Sequence, residues 1–337
     1  MNPAAESYLW TSGPAMSATG GRTRGEWRAS GVSIDSRTVK PGDLFIAIRG
    51  VRFDGHDFAA DALAAGAAAV IVDNFPEALA ADAPLLEVED TTRALEDLGR
   101  AARRRADGRV IAVTGSVGKT GPKAALRVAL TPQGSTVASE ESLNNHWGVP
   151  LSLARMPADA AFGVFEIGMN HPDEIAPLSR MASPHVAVIT NVESVHSAYF
   201  KTIEEIADAK AEIFEGLEPD GIAVINRDNP QFSRLAVAAE AAGVKTTFGF
   251  GAHADAQMRL VNVRSDYEGS DIEVMVSGAE IDYRLGVPGR HWVMNSLAVL
   301  AAVGAAGGDI DEAAAAHPME DREPPHWRRE DGSVNGW

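Results

Sequence analysis

Short, nearly continuous apolar runs alternate with longer segments along most of this chain. Past residue 109 the runs fall at 110–113, 163–167, 186–189 and 222–225. Runs of this length, with few polar positions, suit strands buried on both faces, as in parallel sheets. The segments between them are predicted as helices, notably 119–130 and 202–217. Residues 257–287 read differently. Ile272, Val274 and Val276 alternate with Glu273 and Met275, and a return follows over 281–285, so antiparallel strands are expected there. A helix is expected over 293–306, stopped by Gly307 and Gly308.

Before residue 107 the pattern is shorter in period. Residues 43–50 read as a strand ending at Gly50, 58–68 as a helix, and 69–72 as the next strand. A basic helical stretch at 100–105 leads to Asp107 and Gly108, where a domain boundary is expected. The last stretch, 317–337, holds Pro318, Pro324 and Pro325 with no periodic apolar positions and reads as an irregular tail. No internal repeat is visible. The expectation is an α/β protein with an N-terminal α/β domain over 1–107, a central domain over 108–316 with a mainly parallel sheet flanked by helices, and the tail.

Composition narrows the function classes. The 337 residues exceed what one core usually needs. Apolar residues at 45% and charged residues at 23% fit an ordinary globular chain. A net charge of −17 argues against a nucleic-acid surface but not against local binding of a small phosphate ligand. With 0 cysteines, disulfides and thiolate metal sites are excluded, which fits a cytoplasmic setting. Residues 1–10 show no signal-peptide pattern, and no apolar stretch reaches the ~18–20 residues of a membrane span.

The most specific local signal follows the strand at 110–113: Thr114, Gly115, Ser116, Val117, Gly118, Lys119, Thr120, then a helix. Glycines let backbone N–H groups face phosphate oxygens, and a helix N-terminus adds favourable potential. Lys119 is placed to reach the β- and γ-phosphates and the Thr120 hydroxyl to bind Mg²⁺. Glu166 ends another apolar run. A carboxylate there is costly to bury unless paired or metal-bound, and at the C-terminal end of a parallel strand it faces the ligand crevice. Other polar positions admit two readings each. Asp35, Ser36 and Arg37 form either a binding turn or an exposed ion pair. Asn144 and Asn145 form either a polar loop for a sugar or pyrophosphate, or an Asx turn opening a helix. Lys210 is either a site residue or a solvated helical lysine among acidic neighbours.

The loop T-G-S-x-G-K-T resembles that of the Mur ligases and the related folylpolyglutamate synthases. It departs from the general phosphate-loop pattern, having Val113 where that pattern has Gly. Resemblance to Mur ligases continues through residues 31–58, the segment around Asn144 and Asn145, Glu166 with Glu174, His196, Lys210, and residues 289–298. It covers roughly 7–312. It implies a UDP-substrate-binding N-terminal domain, with Ser36, Arg37 and Arg49 as contacts, and a central ATPase-like domain. It further implies Glu166, His196 and a carbamylated Lys210 as Mg²⁺ ligands beside Thr120, and Asn295 as an adenine contact, with Trp292 where the family has a second Asn. Carbamylation needs a neutral amine, so Lys210 must be buried.

The combination points within the family to a ligase joining D-alanyl-D-alanine to UDP-N-acetylmuramoyl-tripeptide through an acyl phosphate, using ATP and Mg²⁺. The expected protein is a cytoplasmic monomer. A sibling ligase adding the third amino acid, and a non-catalytic nucleotide- or UDP-sugar-binding remnant, are the alternatives. The family's third, Rossmann-like domain has no counterpart in the sequence after residue 312. Nucleotide binding with little or no ligation is therefore expected of this chain. Gly121 and Pro122, also unusual for the family, fall in the first helical turn, where proline is tolerated.

Overall fold

The computed structural model describes residues 8–116, 118–140, 143–194 and 199–316. Val117, His196 and the expected tail lie outside the described residues. The chain opens with β1 (Trp10–Thr11), α1 (Ser12–Thr19), β2 (Arg22–Arg24), β3 (Arg28–Ala29), β4 (Gly31–Ser33) and β5 (Asp43–Ile46). It continues through α2 (Ala59–Ala64), β6 (Ala69–Val72), β7 (Leu85–Glu87) and α3 (Thr91–Arg105). One five-stranded sheet has the order β2-β7-β6-β5-β4, parallel except where β2 joins β7. Strand β5 ends at Ile46, earlier than expected, because the chain then turns on itself. Gly50 N–H donates to Phe53 O and Gly55 N–H to Ile48 O. Helix α2 is likewise shorter than predicted, opening as a 3₁₀ turn (Gly55–Phe58) and closing before Gly66 at φ +101°.

The second sheet holds nine strands. Its elements are β8 (Arg109–Thr114), α4 (Thr120–Leu130), β9 (Thr136–Ala138), α5 (Gly148–Ala154), β10 (Phe162–Glu166), α6 (Ile175–Ala182), β11 (Val186–Ile189) and α7 (Ile203–Ala211). There follow β12 (Ile222–Asn226), α8 (Phe232–Ala241), β13 (Thr246–Gly251), β14 (Met258–Ser265), β15 (Ser270–Val276), β16 (Ala279–Leu285), α9 (Arg290–Ala305) and α10 (Ile310–Ala315). The order is β16-β15-β14-β13-β12-β11-β8-β10-β9. Strands β9 through β14 and β8 pair in parallel, and β14, β15 and β16 form the expected antiparallel end.

Strand β8 is buried on both faces, as its unbroken apolar run requires. Ile111 and Val113 enter one core with Leu126 and Leu297, while Val110 and Ala112 enter the opposite core with Phe165 and Phe214. The predicted helix 202–217 divides at its last turns. Thr202 caps α7 by accepting from Glu205 N–H, but residues Glu212–Gly216 tighten to a 3₁₀ turn. There Ser179 Oγ donates to the Ile213 carbonyl, and a Cβ on Gly216 would lie 2.1 Å from the backbone of Ser179.

Helices α3 and α5 join the two sheets. Gly99 lets α3 approach Pro150, whose carbonyl would lie 3.0 Å from an added Cβ. Trp10 Nε1 donates to Ala154 O at 2.9 Å and Arg155 Nε to Val32 O at 2.7 Å. Buried Arg103 donates to the carbonyls of Ala182 and Ser183, both at 2.8 Å, satisfying the end of α6. Among the described residues no helix is long and apolar enough to cross a membrane.

Candidate functional site

Register sets the site. Glu166 pairs beside Val113, and Ile189 beside Thr114, so β10, β8 and β11 end level with one another. The sheet's order reverses here, with β8 followed on one side by β10 and on the other by β11. Such a switch point leaves a crevice at the carboxyl ends of the strands. The loop from β8 enters that crevice directly.

Close packing fixes the loop. A Cβ on Gly115 would lie 2.1 Å from Thr190 Oγ1, so no side chain fits. Ser116 Oγ accepts from Glu193 N–H at 2.9 Å and donates to Glu193 O at 3.0 Å, and Ser116 N–H reaches Asn191 O at 3.0 Å. Gly118 has φ +70°, which favours glycine, and Asn295 Nδ2 lies 3.4 Å from where its Cβ would stand. Asn295 thus packs on the loop itself. Trp292 lies over Gly121, 3.3 Å from a would-be Cβ, which accounts for the unusual glycine there. Lys119 Nζ donates to Gly115 O at 2.9 Å, and burial lowers its pKa. The Thr114 hydroxyl is buried with no hydrogen-bond partner. Gly115→Ala is expected to lower Tm, since overpacking typically costs ~1–3 kcal/mol. It should also weaken ATP binding; a scanning-calorimetry trace unchanged from the parent would show that the loop yields.

Glu166 is 2% exposed, and four residues from three segments surround it. Asn144 Nδ2 donates to Oε1 at 2.8 Å, Thr120 Oγ1 to Oε2 at 3.2 Å, and Lys123 Nζ lies 3.5 Å from Oε2. Its own N–H donates to Ser139 Oγ at 3.2 Å. Asn144 is itself pinned, because Gly168 N–H donates to its carbonyl and a Cβ at Gly168 would meet its amide at 2.9 Å.

Lys210 is 1% exposed, which removes the solvated reading. Burial, and then the positive charge of Lys119, lower its pKa to about 7. Much of this amine is therefore neutral near neutral pH, the form that reacts with CO₂. The Glu166 carboxylate and the Thr120 hydroxyl, 3.2 Å apart, are oxygen donors of the kind a hard cation such as Mg²⁺ takes.

The remaining predicted residues lie apart from this cluster in their contacts. Asn145 Oδ1 accepts from Trp147 and Gly148 N–H groups, so it opens α5 as an Asx turn. Arg37 is exposed and paired with Asp35, and Ser36 sits in the same turn. Arg49 bridges Asp54 at 3.0 Å and Asp73 at 2.6 Å. The sequence reading missed Lys123, Ser139 and a second feature, a cleft of about 440 Å³. Asn191, Asn226, Asp228, Asn229, Arg290 and Met294 are among the residues lining it, at the ends of β11 and β12 and the start of α9. The signal for Lys123 was its place one helical turn before Leu126, on the apolar face of α4.

Known proteins resemble this chain over most of its length. The description "Mur ligase middle domain" matches residues 113–303, and "Mur ligase family, catalytic domain" matches 28–103. A UDP-N-acetylmuramoyl-tripeptide--D-alanyl-D-alanine ligase of Rickettsia prowazekii is 33% identical over 303 residues, 90% of this chain and 67% of that one. Across it and two further curated relatives of that description, the chain spans 58 to 67% of their length. Among solved structures, MurF from Acinetobacter baumannii superposes with a TM-score of 0.83 at 28% identity, over 95% of this chain and 70% of that one. MurF from Thermotoga maritima, solved in complex with ADP, gives 0.71 at 30%, over 84% and 65%.

Proposed function

The chain belongs to the Mur ligase family, and from that premise we propose that it serves the ATP-dependent joining of D-alanyl-D-alanine to UDP-N-acetylmuramoyl-tripeptide. The observation that carries this reading is the meeting of a phosphate loop with a fully buried lysine and carboxylate at one sheet switch point. Residues 108–316 are assigned to ATP and residues 1–107 to the UDP end of the substrate. Lys119 and the loop's N–H groups hold the phosphates, and the cleft beside α9 receives the rest of the nucleotide, with Asn295 at its loop side. Thr120, Glu166, carbamylated Lys210 and His196 would hold Mg²⁺, which would offset charge on the transferring phosphoryl group.

In this scheme the tripeptide carboxylate attacks the γ-phosphorus of ATP and ADP leaves. The dipeptide's amine then attacks the acyl phosphate carbon, releasing phosphate and forming the amide. Lys119 stays in contact with the phosphoryl oxygens as charge shifts to the leaving ADP. Incubation with ATP, Mg²⁺, UDP-muramoyl tripeptide and D-alanyl-D-alanine, followed by mass spectrometry, tests this. Pentapeptide that forms only with the dipeptide present supports it. Extension of a UDP-muramoyl dipeptide by one amino acid would identify a sibling ligase. Nucleotide binding with no turnover of either set would leave a binding protein.

Arg37, Ser36 and Arg49 are assigned to the UDP end. The Arg37 guanidinium is exposed and must exchange Asp35 for a ligand oxygen. Arg37→Ala should weaken UDP-muramoyl-tripeptide binding about tenfold to a hundredfold. Unchanged affinity in a titration without ATP would place the uridine end elsewhere.

A further inference from the structure

Lys123 is 4% exposed and lies outside the phosphate loop. It stands on α4 three residues past Thr120, and its Nζ lies 3.5 Å from Oε2 of Glu166. The Thr120 hydroxyl donates to that same oxygen at 3.2 Å, while Oε1 is taken by Asn144 at 2.8 Å. We propose that Lys123 is an internal counter-cation that competes with a divalent metal for Glu166, so that metal enters the site with the nucleotide and not ahead of it. This rests on the assignment of Glu166 as a metal ligand.

The physical case is one of charge and space. A buried carboxylate needs a compensating charge, and here a fixed ammonium supplies it. Lys123 and Lys119 both stand near Glu166, and Lys210 near Lys119. An incoming dication therefore meets two ammonium groups, Lys123 and Lys119, around one carboxylate. It must displace Lys123 from Oε2 or share that oxygen with it, and repulsion between like charges at such range in a buried site is large. Nucleotide phosphates reverse the balance by bringing negative charge along with the metal. A purely structural ion pair makes the opposite prediction: removing Lys123 would loosen Glu166 and weaken metal binding.

The test measures Mn²⁺ binding to the purified chain by the electron paramagnetic resonance signal of free Mn²⁺, with and without a non-hydrolysable ATP analogue. Without nucleotide, Lys123→Met is expected to bind Mn²⁺ at least about tenfold more tightly than the parent. Lys123→Gln should behave the same way, and covers the case in which the methionine variant does not fold. Lys123→Arg, which keeps the charge, should retain the parent's weak binding. With the analogue present, the gap between parent and neutral variants should narrow. Equal or weaker binding by both neutral variants overturns the proposal. Glu166→Gln separates the underlying assignment: if it binds Mn²⁺ and analogue like the parent, Glu166 is no ligand and that reading fails first.

Discussion

Lys119→Ala is expected to reduce ATP affinity about a hundredfold or more while leaving the fold intact. Among the described residues its ammonium donates to Gly115 O, and the loop's shape depends instead on Gly115 against Thr190 and on Ser116 with Glu193. The loss is the charged contact to phosphate. A hydrogen bond to a charged group contributes ~1.5–3 kcal/mol, and a phosphate accepts more than one. Calorimetric titration of both forms with ATP and Mg²⁺, alongside their circular dichroism, checks the two halves separately. Equal affinities would remove Lys119 from the nucleotide site.

Lys210→Ala is expected to cost on the order of 10²–10³-fold in release of phosphate from ATP, the scale for losing one electrostatic group aimed at developing charge. The same residue should carry a pH signature. Burial, then the charge of Lys119, depress the folded pKa to about 7 from 10.5. Between those values the unfolded chain holds a proton that the folded chain lacks, so this group's contribution to stability rises with pH across that window. Below about pH 7 the folded state bears the full penalty of the buried ammonium. Carbamate formation follows the neutral amine. At constant CO₂ pressure, the ¹³C-carbamate resonance should therefore grow as pH rises through about 7 and be missing from Lys210→Ala. A resonance flat across that range, or present in the variant, would detach the carbamate from Lys210.

The glycines, Lys119 and Thr120 were legible in sequence because the phosphate loop's chemistry is local: a strand, a tight turn and a helix start within about a dozen residues. The parallel sheet was legible because strands buried on both faces leave unbroken apolar runs. Other features depended on distant partners. Strands Arg22–Arg24 and Leu85–Glu87 are three residues each and take their identity from pairing with one another. Strand Thr136–Ala138 is half-buried throughout and shows no alternation. The burial of Lys210 does have a signal in the sequence. Ile206, Ala207 and Lys210 lie at helical spacing on the buried face of α7, so the lysine stands in the apolar stripe. Asn144 and Asn145 looked equivalent in sequence. The fold sends one to Glu166, where Gly168 also packs on its amide, and the other to a helix start.

The central position of β8 also governs how the chain comes off the ribosome. Its two sheet neighbours, β10 and β11, are both encoded later, and β11 ends about 75 residues after β8 does. At ~5–20 residues per second, synthesis of that interval takes ~4–15 s. Until β10 is complete, about 52 residues into that interval, this apolar strand has both hydrogen-bonding edges open, and β9, which comes first, pairs with β10 and not with β8. Pairing must then close over long sequence separations, which is intrinsically slow. The strand that anchors the phosphate loop is thus an aggregation hazard of the nascent chain, and its yield in the cell should depend on chaperone capacity more than its finished stability suggests.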